Sequence, residues 1–343
     1  MLLGLPLPAV GMVEPIPAGG DEVTLVKTAQ SEVTAFEEEF ADLLDGRHSV
    51  ALGAGAGAVQ LVLAALGVGV GDEVVVPSYA PEAVARGVRL VGAEPVFADI
   101  EPDSLCVGPE AVEAALSPRT AAVVAVHAFG HPAAMERICE VARRHGIPVV
   151  EEASQALGAK LHGRPVGTFG TAAVFGAGAG CGAVVTGDAR IAGAVRGARD
   201  RAGRGPSAAE AAEGLETLRR TAGLVARRRA LARVLDGGLR NLGTPRVADG
   251  AHHAYHCYPV RVPGNGRPDR DAFARALAAR GVVASAVWPT PVHRMREYRG
   301  KAVRLPETER AVEQVLCLPV DPMLTERGLG RIVSACNSLG GLL

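Results

Sequence analysis

The chain has 343 residues, a net charge of −1, 48% hydrophobic and 21% charged residues. That is enough for one large and one smaller domain around a substantial core, and it excludes a disordered chain. The two signs of charge are interleaved, so no basic stripe invites nucleic acid and no polybasic run suggests an anionic membrane.

The opening MLLGLPLPAVGMVEPIPAGG is apolar but carries Pro6, Pro8 and Pro15 and no basic stretch, which argues against a signal peptide and a spanning helix. Ser31–Gly46 follows as a predicted helix, with Phe36, Phe40 and Leu43 at helical spacing and Gly46 as its stop. Short β-branched runs then alternate with helical patterns. HSVAL precedes AVQLVLAALG, DEVVVPS precedes PEAVARGVRLVG, and AEPVFADI, PEAVEAALSPR, TAAVVAVHAFG, AAMERICEVARRHG and IPVVEEAS continue the rhythm. This βαβ alternation predicts an α/β fold whose mostly parallel sheet is flanked by helices, with ligands at the carboxyl ends of its strands.

From about Ala208 to Leu239 the chain reads as a long Arg-rich helix. A strand over Ala254–Val262, a helix at RDAFARALAARG, a proline-rich strand or loop at SAVWPTPVH and a final helix complete the pattern. The predicted organisation is an N-terminal arm (1–30), a large α/β domain (31–225), and an interdomain helix with a small C-terminal α+β domain (226–343).

Six scattered cysteines (Cys106, Cys139, Cys181, Cys257, Cys317 and Cys336) form no C-x-x-C pair, so a disulfide framework or zinc site is not expected and a reducing cytoplasm fits. Lysine is scarce: Lys27, Lys160 and Lys301 are the whole supply.

Ordered blocks across most of the chain resemble the DegT/DnrJ/StrS sugar-aminotransferase family. They are GVGVGDEVVVPSYA, GAEPVFADIEPDSL, SPRTAAVVAVHAFGHPAAM, VVEEASQALGA, GRPVGTFG, WPTPVH, LPETERA and LCLPVDPMLTE. The resemblance implies a fold-type-I aminotransferase-like architecture with a seven-stranded sheet, and a dimer with pockets at the subunit interface. It ordinarily implies pyridoxal phosphate, with an amino group passing from glutamate or glutamine to a nucleotide-linked keto sugar.

Such chemistry asks for a lysine to bind the cofactor and shuttle the proton, a carboxylate for the pyridine nitrogen, and a helix N-terminus for the phosphate. In family members a lysine stands between a Phe-Ser-Phe strand and a Gly-Glu-Gly-Gly turn. Here Val174–Asp188 reads VFGAGAGCGAVVTGD, shorter by roughly seven residues and without lysine. The family's Ser-Gly-Thr becomes Ala54-Gly55-Ala56, leaving only the backbone N–H groups of Gly55, Ala56 and Gly57 for an anion. The Asn-x-Arg pair that a neighbouring subunit normally adds to the phosphate has no match, although Arg204 stands in that stretch. The stacking aromatic falls at Pro81, and the aspartate that pairs with the ring becomes Glu152.

These departures predict a fold that has left transamination, with no cofactor and no metal. The residues expected around the cleft are Glu152, Glu82, His127 and His293 as acid–base candidates. Tyr79, Gln155, His131, Cys181, Gly55 and Ala56 are substrate-binding candidates. The favoured expectation is a cofactor-independent isomerisation, dehydration or cyclisation of a natural-product intermediate or sugar nucleotide. A non-catalytic partner of an active enzyme, joined as a heterodimer rather than a homodimer, is the second reading. A third is a pyridoxal- or pyridoxamine-phosphate enzyme without the usual lysine. The bland readings stand beside these: Glu82 opening a solvated helix, Glu152 and the histidines as structural groups, Trp288 packing a domain interface, and Arg227–Arg229 on a solvated face.

Overall fold

The computed structural model describes residues 22–53, 57–178, 180–263, 270–299 and 303–340, of which 22–30 and 340 by backbone only. In chain order the large unit comprises α1 (Glu22–Leu43), β1 (His48–Gly53), α2 (Ala58–Ala65), β2 (Glu73–Pro77), α3 (Glu82–Leu90), β3 (Glu94–Ala98), α4 (Pro109–Ala115), β4 (Thr120–Val126), α5 (Met135–Arg144) and β5 (Val149–Glu152). A small hairpin, β6 (Lys160–Leu161) and β7 (Arg164–Pro165), precedes β8 (Ala172–Gly176), β9 (Cys181–Thr186), α6 (Ala189–Arg201) and α7 (Ala208–Gly238). Beyond α7 come β10 (Ala251–His252), β11 (Tyr258–Arg261), α8 (Arg270–Ala278), α9 (Pro306–Gln314), β12 (Val315–Leu318) and α10 (Glu326–Gly340).

Seven strands form the main sheet in the order β1-β9-β8-β5-β4-β2-β3, parallel from β8 through β3, with β9 antiparallel to both its neighbours. Such strands must be apolar on both faces because helices cover both. The chain supplies this with Val74–Val76 and Val123–Val126, all 0–2% exposed. One face packs Val59, Val62, Val84 and Val195 of α2, α3 and α6. The other packs Ile138 of α5, and then Phe36 and Phe40 of α1, where the Phe40 ring lies 5.2 Å from that of Phe175.

Helix α7 opens on a capping box, with Ser207 and Glu210 each satisfying the other's backbone N–H. It runs from the Phe36 cluster (Ala211, Leu215, Leu218) into a separate core of Leu231, Leu235, Tyr258, Leu316 and Ile332. Trp288 packs at the seam, 4.7 Å from Phe129 and edge-on to Tyr79.

Three elements differ from expectation. Helix α1 begins at Glu22, so part of the anticipated arm is helical. The strand expected over Ala254–Val262 is confined to Tyr258–Arg261, because Tyr255 turns into the left-handed region (φ 50°) to stack on His253 at 3.9 Å. The Arg run is not simply solvated: Arg227 reaches the Leu324 carbonyl at 2.9 Å and Arg229 the His253 carbonyl at 3.1 Å. Among the described residues, no helix is long and apolar enough to cross a membrane.

Candidate active site

A cavity of about 610 Å³ opens where β1, β5 and β8 end, between α2 and α3. Ligands of open α/β sheets bind outside the carboxyl ends of the strands, and the volume suits a small molecule. Gly53, Gly57, Gln60, Pro81, Arg86, Glu152, Ser154, Phe175, Cys181 and Arg204 contribute to its wall.

Glu152 is the last residue of β5 and 5% exposed. Its Oε1 accepts the Ser154 N–H at 3.2 Å, while Oε2 is buried without a hydrogen-bond partner. Burial pushes this carboxyl above the ordinary carboxylate range, only partly offset by the Ser154 hydrogen bonds. A buried, half-satisfied carboxyl beside an open cavity is costly unless a donor or cation enters it.

At the opposite wall Gly57 caps α2 in the left-handed conformation (φ 63°), which glycine adopts without strain, and no side chain caps the helix. The first helical bond is Leu61 N–H to the Gly57 carbonyl at 3.1 Å, so the N–H groups of Ala58, Val59 and Gln60 have no intrahelical acceptor. Arg204 reaches this point from the loop after α6. Its carbonyl accepts the Gly53 N–H at 2.9 Å, and its guanidinium donates to Gln60 Oε1 at 3.2 Å.

The segment expected to carry a lysine is instead a tight hairpin. Residues 177–180 join β8 to β9, and Ala177 N–H closes the turn on the Cys181 carbonyl at 2.8 Å. Among the described side chains no lysine lines the cavity. Lys160 sits on β6 beside a different surface cavity shared with Arg229 and His252. The side chains of Lys27 and Lys301 lie outside those described.

Of the residues singled out from sequence, Glu152 and Cys181 face the cavity. The Cys181 thiol is pushed up to about 11, by burial first and by Glu210 second. Gly55 and Ala56 lie outside the described residues. The remaining candidates go elsewhere. Glu82 opens α3 but turns toward the Tyr298 hydroxyl, which donates to it at 3.1 Å, so it does not pair with Glu152.

His127 is fully buried with both nitrogens engaged, Nδ1 accepting the Ala133 N–H at 3.0 Å and Nε2 facing Glu151 at 3.1 Å. His293 pairs its Nδ1 with the Ser78 hydroxyl at 2.7 Å and lies 3.6 Å from Glu309. Tyr79 is buried between Phe129 and Trp288, and burial raises its phenol far above the usual value. Gln155 accepts the N–H of the left-handed Phe129 at 2.8 Å. His131 is buried under a neighbouring loop, hydrogen-bonded to the Pro132 carbonyl at 2.7 Å and the Ala248 N–H at 3.2 Å.

Sequence reasoning passed over Arg86, Gln60 and Ser154. For Gln60 the available signal was its place in the first turn of the helix after the glycine run; for Ser154, its position two residues beyond Glu152.

A doubly flanked, mostly parallel sheet with a ligand-sized cavity at its strand ends and a smaller C-terminal unit defines an aminotransferase-type fold. The chain belongs to the DegT/DnrJ/EryC1/StrS aminotransferase family, whose pattern it matches over residues 24–203 and 207–337.

It is 36% identical over 330 residues to the dTDP-3-amino-3,4,6-trideoxy-alpha-D-glucose transaminase of Streptomyces venezuelae, covering 89% of this chain and 86% of that one. It is 31% identical over 336 residues to the UDP-2-acetamido-2-deoxy-3-oxo-D-glucuronate aminotransferase of Pseudomonas aeruginosa, covering 90% of each. The crystal structure of S. venezuelae DesV in complex with a ketimine intermediate superposes with a TM-score of 0.83 at 34% identity, covering 90% of this chain and 89% of that one.

These findings correct the expectation of a chain that has abandoned transamination, pyridoxal phosphate and catalysis. Relatives aligned over 86–90% of their length are named transaminases or aminotransferases, and a solved neighbour is described in complex with a ketimine intermediate. The reading of a cofactor-free isomerase, dehydratase or cyclase, and that of a non-catalytic partner, rested on the changed positions taken together, and the named transaminases among the relatives stand against both. The fold has a ligand-sized cavity with Glu152 in its wall.

Proposed function

We propose that this protein is a sugar-nucleotide aminotransferase that holds pyridoxamine or pyridoxal 5′-phosphate without a covalent tether. The observation that carries the reading is the partnerless Oε2 of Glu152, buried in the wall of the cavity. A protonated pyridine nitrogen is the cation whose arrival would satisfy that oxygen, and the shared charge would reverse the upward push that burial gives the carboxyl. The α2 N-terminus offers backbone N–H groups for the phosphate end. Pro81 and the wall around Phe175 and Gly176 enclose the space between them.

The described residues therefore fit the cofactor at its two polar ends, and among them none lining the cavity offers an amine to anchor it covalently. When bound in its amine form, the group supplies both the nitrogen to be transferred and an electron sink. The roles left to this chain are to hold the ring nitrogen protonated through Glu152 and to fix the phosphate. Among the described side chains no lysine would stand between the bound group and an entering keto sugar. The acceptor in this reading is a nucleotide-linked keto sugar, by analogy with the named relatives. Arg86, at the mouth, is a cation available to its diphosphate. A homodimer is part of the proposal, as is a reducing cytoplasm, with which six free cysteines agree.

The test is to load the purified protein with pyridoxamine phosphate and add a nucleotide-linked 3-keto sugar. The reading expects conversion of the pyridoxamine to the pyridoxal spectrum with an amino sugar appearing by mass spectrometry. A folded protein that binds pyridoxamine phosphate yet never releases pyridoxal phosphate or amino sugar would contradict it.

A further inference from the structure

Two thiols meet at the edge of the C-terminal strand pair. Strands β11 and β12 run antiparallel with Pro259 opposite Cys317. Cys257 directly precedes β11, two residues before Pro259, so the alternation of the pleat brings it diagonal to Cys317 on one face. Their Sγ atoms lie 2.8 Å apart, with the Cys257 thiol donating to Cys317. A disulfide bond is about 2.05 Å long, so the sulfurs stand within about 0.8 Å of bonding distance. Cys106, Cys139 and Cys181 turn instead to backbone carbonyls. Both backbones of the pair are tied. The N–H of His256 donates to the Phe129 carbonyl at 2.9 Å, and Cys317 exchanges two hydrogen bonds with Ser285, at 2.8 and 3.1 Å.

We infer that Cys257 and Cys317 form a reversible disulfide that ties β11 to β12. The oxidant is a low-molecular-weight disulfide such as glutathione disulfide. Cys317 is buried and Cys257 half-buried, so the small disulfide meets Cys257 first. The Cys257 thiolate attacks one of its sulfurs, one glutathione thiolate leaves, and a mixed disulfide remains. The Cys317 thiolate then attacks the Cys257 sulfur and the second glutathione thiolate leaves. Two electrons pass from the protein sulfurs to the small disulfide, and the two thiol protons end on the released glutathione thiols. The Cys317 contact first, and burial second, push the Cys257 thiol well above its ordinary value, so the resting pair is protonated and exchange is slow. In a reducing compartment the pair rests as a dithiol, and the bond records an oxidising shift. Once formed, it closes a loop of chain that includes α8 and α9, which limits the freedom of the unfolded state.

In the experiment the reduced, desalted full chain is incubated with glutathione disulfide alongside a free dithiol standard. Remaining thiols are alkylated in denaturant, and tryptic peptides are weighed without reduction. Cys257 and Cys317 fall in separate tryptic peptides, 247–261 and 311–327, as the single cysteine of each. The two peptides are expected to be joined, with a mass about 2 Da below their sum, and to separate again with dithiothreitol. The joined form should exceed the glutathione adduct of either peptide by at least about tenfold, because the second thiol is held against the first. The oxidised wild type should melt at a higher temperature than the reduced. Cys257→Ser, changed at the half-buried position, should show neither the joined peptides nor the rise. Cys257→Ala takes its place if a melt shows the serine variant unfolded.

A folded wild type that carries glutathione on Cys257 while Cys317 stays free would overturn the pair. So would a bond from either cysteine to a different one, or a protein still wholly reduced after the dithiol standard has been oxidised. None of these outcomes involves pyridoxamine phosphate, so the proposed function stands or falls separately.

Discussion

Glu151 and Glu152 leave β5 on opposite faces of the sheet, as adjacent strand residues must, and they meet opposite surroundings. Glu151 is wholly buried and fully partnered. It accepts the N–H groups of Gly167 (2.7 Å), Phe169 (2.8 Å) and Gly170 (2.7 Å) and faces His127 Nε2 at 3.1 Å. Burial alone would raise its carboxyl. The His127 contact and the loop N–H groups outweigh that and hold it below the ordinary range. Glu152 has one backbone donor and an oxygen with none. The first carboxyl pins a loop, and the second is left half-satisfied in the cavity wall.

Replacing Glu151 by Gln exchanges an acceptor of several N–H groups for an amide that fits them poorly. Equilibrium denaturation is expected to show a loss of about 3 kcal/mol. Because the native carboxyl lies below its unfolded value, its stabilisation is present above the unfolded range and is lost as pH falls through the native one. The variant should therefore lack that acid-dependent slope.

Glu152→Gln carries the opposite sign. A native carboxyl raised above its unfolded value binds its proton more tightly when folded, so wild-type stability falls as pH climbs from the unfolded value to the native one. Removing the group removes the penalty. The melting temperature of Glu152→Gln should match the wild type near pH 4 and exceed it at pH 8. A variant less stable than wild type at pH 8 would show that the carboxyl is a structural support.

Gly167 turns in the left-handed region (φ 87°), and a Cβ there would overlap the Phe175 ring. Gly167→Ala pays both the backbone and the steric cost. It should lose more than about 2 kcal/mol in urea melts, with the damage spreading to the Phe175 wall of the cavity.

His131 and His253 are both held below the usual histidine value, chiefly by burial. Each stays neutral in the fold while the unfolded chain takes a proton near pH 6.5, so stability should decline as pH drops below about 6.5. Melting curves from pH 7.5 to 5.5 check this. A wild-type melting temperature that stays flat over that range would count against it.

The sheet was legible because its strands repeat the apolar runs that two covered faces demand, as in Val74–Val76. The family blocks fixed the order of its elements. Position in the cleft was legible only where a residue ends a strand: Glu152 closes β5 and lies in the cavity wall. Side-chain direction at helix starts and in loops depends on contacts made far along the chain. Glu82 is claimed by Tyr298, 216 residues away, and His293 by Ser78, 215 away. Arg204 was visible as a residue but not as a neighbour of Gly57, because that proximity depends on the strap to Gly53. The missing lysine weighed too heavily for a related reason. A covalent tether can be read from sequence, whereas the volume and lining of a cavity cannot.

The most direct measurement is calorimetric titration of pyridoxamine 5′-phosphate into the wild-type protein and Glu152→Gln at pH 7.5. The account predicts one saturable site per chain in the wild type and binding weakened by about tenfold or more, roughly 1.4 kcal/mol, in the variant. Equal affinity in the two proteins, or no binding by a folded wild type, would contradict it.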